Sequence, residues 1–142
     1  VTVPVFMDHN PVRILIVYNA DSGVLNALKD ALHKQFSPAT YPCSLCAVTY
    51  GAVTMRREWR RFLQGLALET VFHHRDDFAA CYPGYRVALP AILVAGAAGY
   101  PRVLVPAEAI DRMFAVEELI HCVEAALVAE SLLPDPELAG LA

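Results

Sequence analysis

No apolar run in this 142-residue chain approaches the roughly 20 residues that a helix needs to cross a bilayer, although 56% of its residues are hydrophobic. The densest runs, 14–17 and 88–98, are short and rich in β-branched or small side chains, which is the pattern of strands buried on both faces. An excess of positive charge is missing too. Eleven Lys and Arg face 15 Asp and Glu, a formal net charge of −4, so the basic face that general nucleic-acid binding needs is not expected. Four cysteines are too few to staple a small secreted scaffold. No Gly-x4-Gly-Lys-Ser/Thr loop, no Gly-x-Gly-x-x-Gly after the first apolar strand and no Gly-x-Ser-x-Gly elbow occurs. P-loop hydrolysis, dinucleotide binding and hydrolase chemistry of those types therefore have no support. The first residues carry neither a basic start nor a long apolar stretch, so no secretory signal is expected and cytoplasm is the expected compartment. Neither a membrane nor nucleic acid is an expected partner.

What is present is one tight cysteine pair. Cys43 and Cys46 stand in Tyr41-Pro-Cys-Ser-Leu-Cys-Ala-Val-Thr-Tyr-Gly51, between the periodic segments on either side. A single Cys-x-x-Cys has three readings. As a redox couple the two sulfurs cycle between dithiol and disulfide, and a nearby helix N-terminus lowers a thiol pKa. As half of a metal site they bind zinc or another transition metal. As plain structure they are small buried hydrophobes. Redox chemistry leads, with no cofactor required. Cys46 is the expected nucleophile because it lies nearer the Trp59 helix, and Cys43 is its partner.

The chain in order reads as follows. Residues 1–11 form an arm, 13–19 a strand, and 19–23 a turn in which Asp21 or Ser22 caps a helix that ends at Ser37-Pro38. The cysteine loop runs from 37 to 51. A second helix starts near Val53, with Met55, Trp59, Phe62 and Leu66 as its apolar stripe and Arg56, Arg57, Arg60 and Arg61 on other faces. Then come a strand over 68–73, a short helix over 75–82 opened by Asp76 and Asp77, an apolar hairpin over 89–105, and a helix carrying Val116, Leu119, Ile120, Val123 and Leu127. No repeat or linker divides the chain, so a single domain over 1–142 is expected, with 37–66 an inserted loop and helix and 131–142 a tail.

Further side chains carry alternative chemistry. A metal site would draw on Cys43, Cys46 and one of His73 and His74, with Asp76 beside them. Adjacent strand residues point to opposite faces, so both histidines on one ion is not expected, and a strand end followed by a helix cap is the plainer reading. Asp21 is a candidate base at the strand end, with Ser22 beside it, although helix capping accounts for both. Arg56, Arg57, Arg60 and Arg61 form a face suited to an anionic partner, or simply a solvated one. A non-catalytic interaction module built on that face is a third hypothesis.

The order strand, helix, strand, helix, antiparallel hairpin, helix over about 12–130 resembles the thioredoxin superfamily. Leu89-Pro90-Ala-Ile-Leu is similar to the place where that family puts a cis-proline before its third strand. The resemblance implies an α/β fold with a central mixed sheet of about four strands, two parallel and then an antiparallel hairpin, flanked by helices. It implies thiol–disulfide exchange with a small-molecule thiol or a protein disulfide, at an edge that includes Pro90, Ser22 and Asp76. The family's Cys-x-x-Cys follows the first strand directly, whereas this chain has Asn19-Ala-Asp-Ser-Gly23 there. The pair would have to reach the carboxyl edge through the inserted segment, for which about 14 residues at ~3.3 Å each suffice. Ligand sites of open α/β sheets gather at that edge.

Overall fold

The computed structural model describes residues 12–23, 43–50 and 54–133. The expected arm, the expected first helix beyond Gly23, the start of the expected cysteine loop, residues 51–53 and the end of the expected tail lie outside the described residues.

Four strands form one sheet: β1 (Arg13–Val17), β2 (Glu69–His73), β3 (Ala91–Ala95) and β4 (Arg102–Val105), in the order β2-β1-β3-β4. β1 pairs parallel with β2 and antiparallel with β3, and β3 pairs antiparallel with β4. The protein is therefore mixed α/β with a mixed sheet. The two central strands are the two continuous apolar runs, and all of β3 and all but Arg13 of β1 are buried. β2 and β4 hold the edges and carry the polar or exposed residues Glu69 and Arg102.

The helices divide between two faces. On one, α1 (Ser44–Thr49), α2 (Arg57–Gly65), the short α4 (Ala107–Ile110) and α5 (Val116–Ala129) contribute Leu45, Trp59, Leu63, Ile110, Leu119 and Val123 to a core with Ile14, Ile16 and Tyr18 of the β1 segment. On the other, α3 (Arg75–Cys81) lays Phe78 over Leu15, Val17, Ala91 and Leu93. Period-2 alternation in β1 sorts the two cores. A cis Leu89–Pro90 bond precedes β3. Among the described residues no helix is long and apolar enough to cross a membrane.

Two expectations require correction. The segment around the cysteines contains α1 rather than running as loop throughout. Met55 belongs to no helix but forms an isolated antiparallel bridge with Tyr50, and α2 begins at Arg57. Met55 sits four residues before Trp59, so it mimics helical spacing while serving a turn.

Candidate functional site

Cys43 is the N-cap of α1, in extended conformation, so its side chain faces the free N–H groups of the first turn. Its sulfur accepts from the Cys46 N–H at 3.4 Å and lies 3.1 Å from the Cys46 sulfur. Both cysteines are buried, Cys43 8% and Cys46 1% exposed, and neither is in a disulfide.

The pair is placed where β1 ends. The Asn19 backbone N–H is among the donors that reach the Cys43 sulfur, with those of Cys46 and Leu45. Val17, the last β1 residue, pairs with His73 at the end of β2 and with Ala91 at the start of β3. The thiols therefore adjoin the carboxyl edge of the parallel pair, on the face occupied by Tyr18.

The two thiols differ electrostatically. The hydrogen bond from the Cys46 thiol, reinforced by backbone N–H groups and opposed by burial, lowers the Cys43 pKa to about 7. The Cys46 pKa is raised, by its bond to Cys43 first and then by burial. Cys46 is the nucleophile expected from the sequence, whereas the hydrogen bonds gathered at Cys43 favour the charge on that sulfur. The expected cause was proximity to the Trp59 helix, whereas the helix that matters is α1, which Cys43 itself caps.

Sequence reasoning passed over the aromatic lining of this site. Tyr18 is buried and packs against Tyr50 at 6.0 Å, Phe72 at 6.3 Å and His74 at 6.4 Å between ring centroids. Burial pushes its phenol pKa well up, with Tyr50 and Cys46 adding to the rise. Among the described residues its hydroxyl makes no well-formed hydrogen bond, although Thr49 and Tyr50 lie beside it. Ser44, inside the Cys-x-x-Cys, donates to the Asp111 carboxylate just past α4 and so ties the motif to the end of α4 on the same face of the sheet. The one available signal was the position of Tyr18 at the end of an apolar strand.

The other expected residues have different engagements. His73 is aligned with Val17 and packs against Phe78 and Tyr82, on the sheet face opposite the cysteines. His74 lies past the strand end. The two rings converge on Asp77, with Nδ1 of His73 2.9 Å from Oδ1 and Nδ1 of His74 3.0 Å from Oδ2. Asp77 also accepts the His74 N–H, capping α3, and these bonds hold its carboxyl below the usual range although burial opposes them. The structure thus does not gather Cys43, Cys46, His73 and His74 around one point. Among the described residues no group of three or more His, Cys, Asp or Glu could hold a metal ion.

Asp21 pairs with Arg75 Nε at 3.0 Å, both half exposed. Ser22 donates from its N–H and its hydroxyl to Asp76, whose carboxyl is thereby held below its usual range. With the Arg75 N–H donating to the Ala20 carbonyl, these bonds dock the turn after β1 onto the start of α3. Pro90 is buried, directly before β3 at the carboxyl edge. Of the four arginines expected to suit an anionic partner, Arg56 is engaged otherwise: its Nε donates to the Val48 carbonyl at the end of α1. Arg57, Arg60 and Arg61 are exposed on α2. Cys81 is exposed at the end of α3, and Cys122 is partly buried on α5.

Comparison with protein-family models, with curated proteins and with solved structures gave no match.

Proposed function

We propose that this is a thiol–disulfide redox protein of thioredoxin-like architecture, with Cys43 the attacking sulfur and Cys46 the resolving one. The observation that carries the reading is the pair itself: two free thiols 3.1 Å apart, one of them capping a helix with its pKa lowered to about 7. A thiolate is the nucleophile of disulfide exchange, and one with a pKa near ambient pH is both populated and reactive. The resemblance supports the architecture through the β2-β1-β3-β4 order, the terminal helix after the hairpin, and a cis-proline before β3.

The reaction balances as follows. The Cys43 thiolate attacks one sulfur of a disulfide, forming a mixed disulfide and expelling the other sulfur as a thiolate, which takes up a proton. Cys46 then gives up its proton to solvent, and its thiolate attacks the Cys43 sulfur. The intramolecular disulfide forms, the second substrate thiolate leaves, and two electrons have passed from the protein to the substrate. A dithiol or another reduced thiol regenerates the protein by the reverse steps. The raised pKa of Cys46 fits its place in this order, since it stays protonated while Cys43 is the thiolate.

Separation favours the dithiol over the metal reading. Two thiolates on one tetrahedral zinc lie about 3.8 Å apart, given Zn–S bonds of about 2.3 Å. The 3.1 Å found here is closer than that and suits one shared proton.

The test is to titrate free thiols and metal on protein purified without reductant or chelator, and to equilibrate it in glutathione buffers. A reversible two-thiol loss that Cys43→Ser and Cys46→Ser each abolish is expected. Stoichiometric metal released by Cys43→Ser, with no reversible oxidation, would replace this reading with the metal one.

A further inference from the structure

A second surface lies beside the thiol site. Between α2 and the outer face of β2 is a cavity of about 530 Å³, lined chiefly by Met55, Leu63, Leu68 and Phe72, with Arg60 and Thr70 at its margin. Three observations bear on what fits there. First, β2 is an edge strand of the sheet formed by the described residues, and no other described strand pairs with its outward backbone groups, which suit pairing with another extended chain. Second, Phe72 is 41% exposed over the cavity, and the buried Thr70 hydroxyl has no hydrogen-bond partner. The occupant is thus apolar in part and polar in part. Third, Arg57, Arg60 and Arg61 share one face of α2 by their i, i+3, i+4 spacing, and none of them has an ion-pair partner among the described residues. In a chain of net charge −4 this is a local positive rim on a negative molecule.

We infer that this groove receives an extended, acidic segment of a partner polypeptide. The segment would add a strand to the free edge of β2. An apolar side chain of the segment would enter beside Phe72 and Leu63, and the segment's carboxylates would meet Arg57, Arg60 and Arg61. Backbone pairing supplies affinity in such an arrangement, and the pocket and the charges supply selectivity. A small apolar anion would use the pocket and the arginines but not the strand edge. The free edge therefore favours the polypeptide. Phe72 stacks on Tyr18, which lies beside the thiols, so a segment held there would run toward Cys43. That last step alone rests on the redox reading.

The experiment measures fluorescence anisotropy of a labelled, end-blocked short peptide that alternates leucine or valine with aspartate. The comparison probes are a copy with lysine in place of aspartate, a copy with a central proline, and dodecanoate as competitor. The acidic peptide is expected to bind, to weaken with salt, and to lose about tenfold in affinity in the Arg57→Glu/Arg60→Glu/Arg61→Glu variant. Proline removes a donor that edge pairing needs, so the proline copy should bind far more weakly. Arg60→Ala adds no new charge and serves where the triple variant fails to fold. It should weaken binding in the same direction. Binding should persist in Cys43→Ser/Cys46→Ser, which separates this inference from the thiol chemistry. Absence of binding, equal binding of the acidic and basic peptides, or indifference to both arginine variants would overturn it. So would dodecanoate and the proline copy binding as well as the acidic peptide, since the groove would then hold a small apolar anion.

Discussion

Cys43 and Cys46 carry the same side chain three residues apart, yet their surroundings move the two thiols in opposite directions. The cause is one shared proton: whichever sulfur holds it stabilises the other as thiolate. Cys43 is favoured for the charge because it also faces the N–H groups of α1 and of Asn19. Removing the donor should therefore raise the Cys43 pKa, and Cys46→Ala is expected to shift the thiolate absorbance titration upward from its midpoint at about 7. An unshifted midpoint would assign the effect to the helix alone. The same pair makes stability depend on pH. Between about 7 and the ordinary thiol value of 9.0, folded Cys43 has lost a proton that the unfolded chain keeps, so stability rises with pH through that window. Above it the unfolded chain also ionises Cys46 while the folded chain keeps that thiol protonated, so stability falls. Urea midpoints of the wild type minus those of Cys43→Ser/Cys46→Ser should thus peak near pH 9.0. A flat difference would remove the claim that folding perturbs these thiols.

The elements show where capping sets position. Asp77 gathers the His74 N–H and two imidazoles at the first turn of α3, and Ser22 with Asp76 fastens the turn after β1 to the same helix. Asp77→Ala should cost about 1 kcal/mol as a lost cap, measured by urea denaturation. Asp77→Asn keeps a capping oxygen and should lose less. A null effect in both would mean the histidines hold the strand end without it. Trp59 is the opposite kind of residue, fully buried between α2 and the sheet. Trp59→Ala should cost about 3–5 kcal/mol. The sequence made α3 and α5 legible because acidic first turns and a sustained apolar stripe mark them. It hid α1, since a six-residue helix is too short for a period to emerge from Leu45, Cys46 and Val48. A strand end plus helix cap is the plainer reading of His73-His74, and His73 ends β2 while His74 caps α3. The alternative that joins a histidine to the cysteines arises because a one-dimensional string does not record faces. The β1–β2 register puts His73 with Val17, across the sheet from Tyr18.

For the whole molecule, the sheet was the most readable part. Buried central strands must be continuously apolar, and 14–17 and 91–95 are the runs that meet this condition. The site was readable in its residues but not in its polarity, because the Asn19 N–H and the α1 N-terminus meet at the Cys43 sulfur only in space. That convergence places the sulfurs within the principal core rather than on a loop, in one cluster with Ile14, Trp59 and Leu119. Access to Cys46 should therefore be tied to opening of that core. With N-ethylmaleimide and mass spectrometry, exposed Cys81 is expected to react first and Cys46, 1% exposed, last. Where opening and closing are fast, the Cys46 rate follows the population of the open form and should climb steeply with urea, while the Cys81 rate stays nearly constant. A Cys46 rate that ignored urea would mean that the core opens locally around α1, independently of the sheet against which it packs.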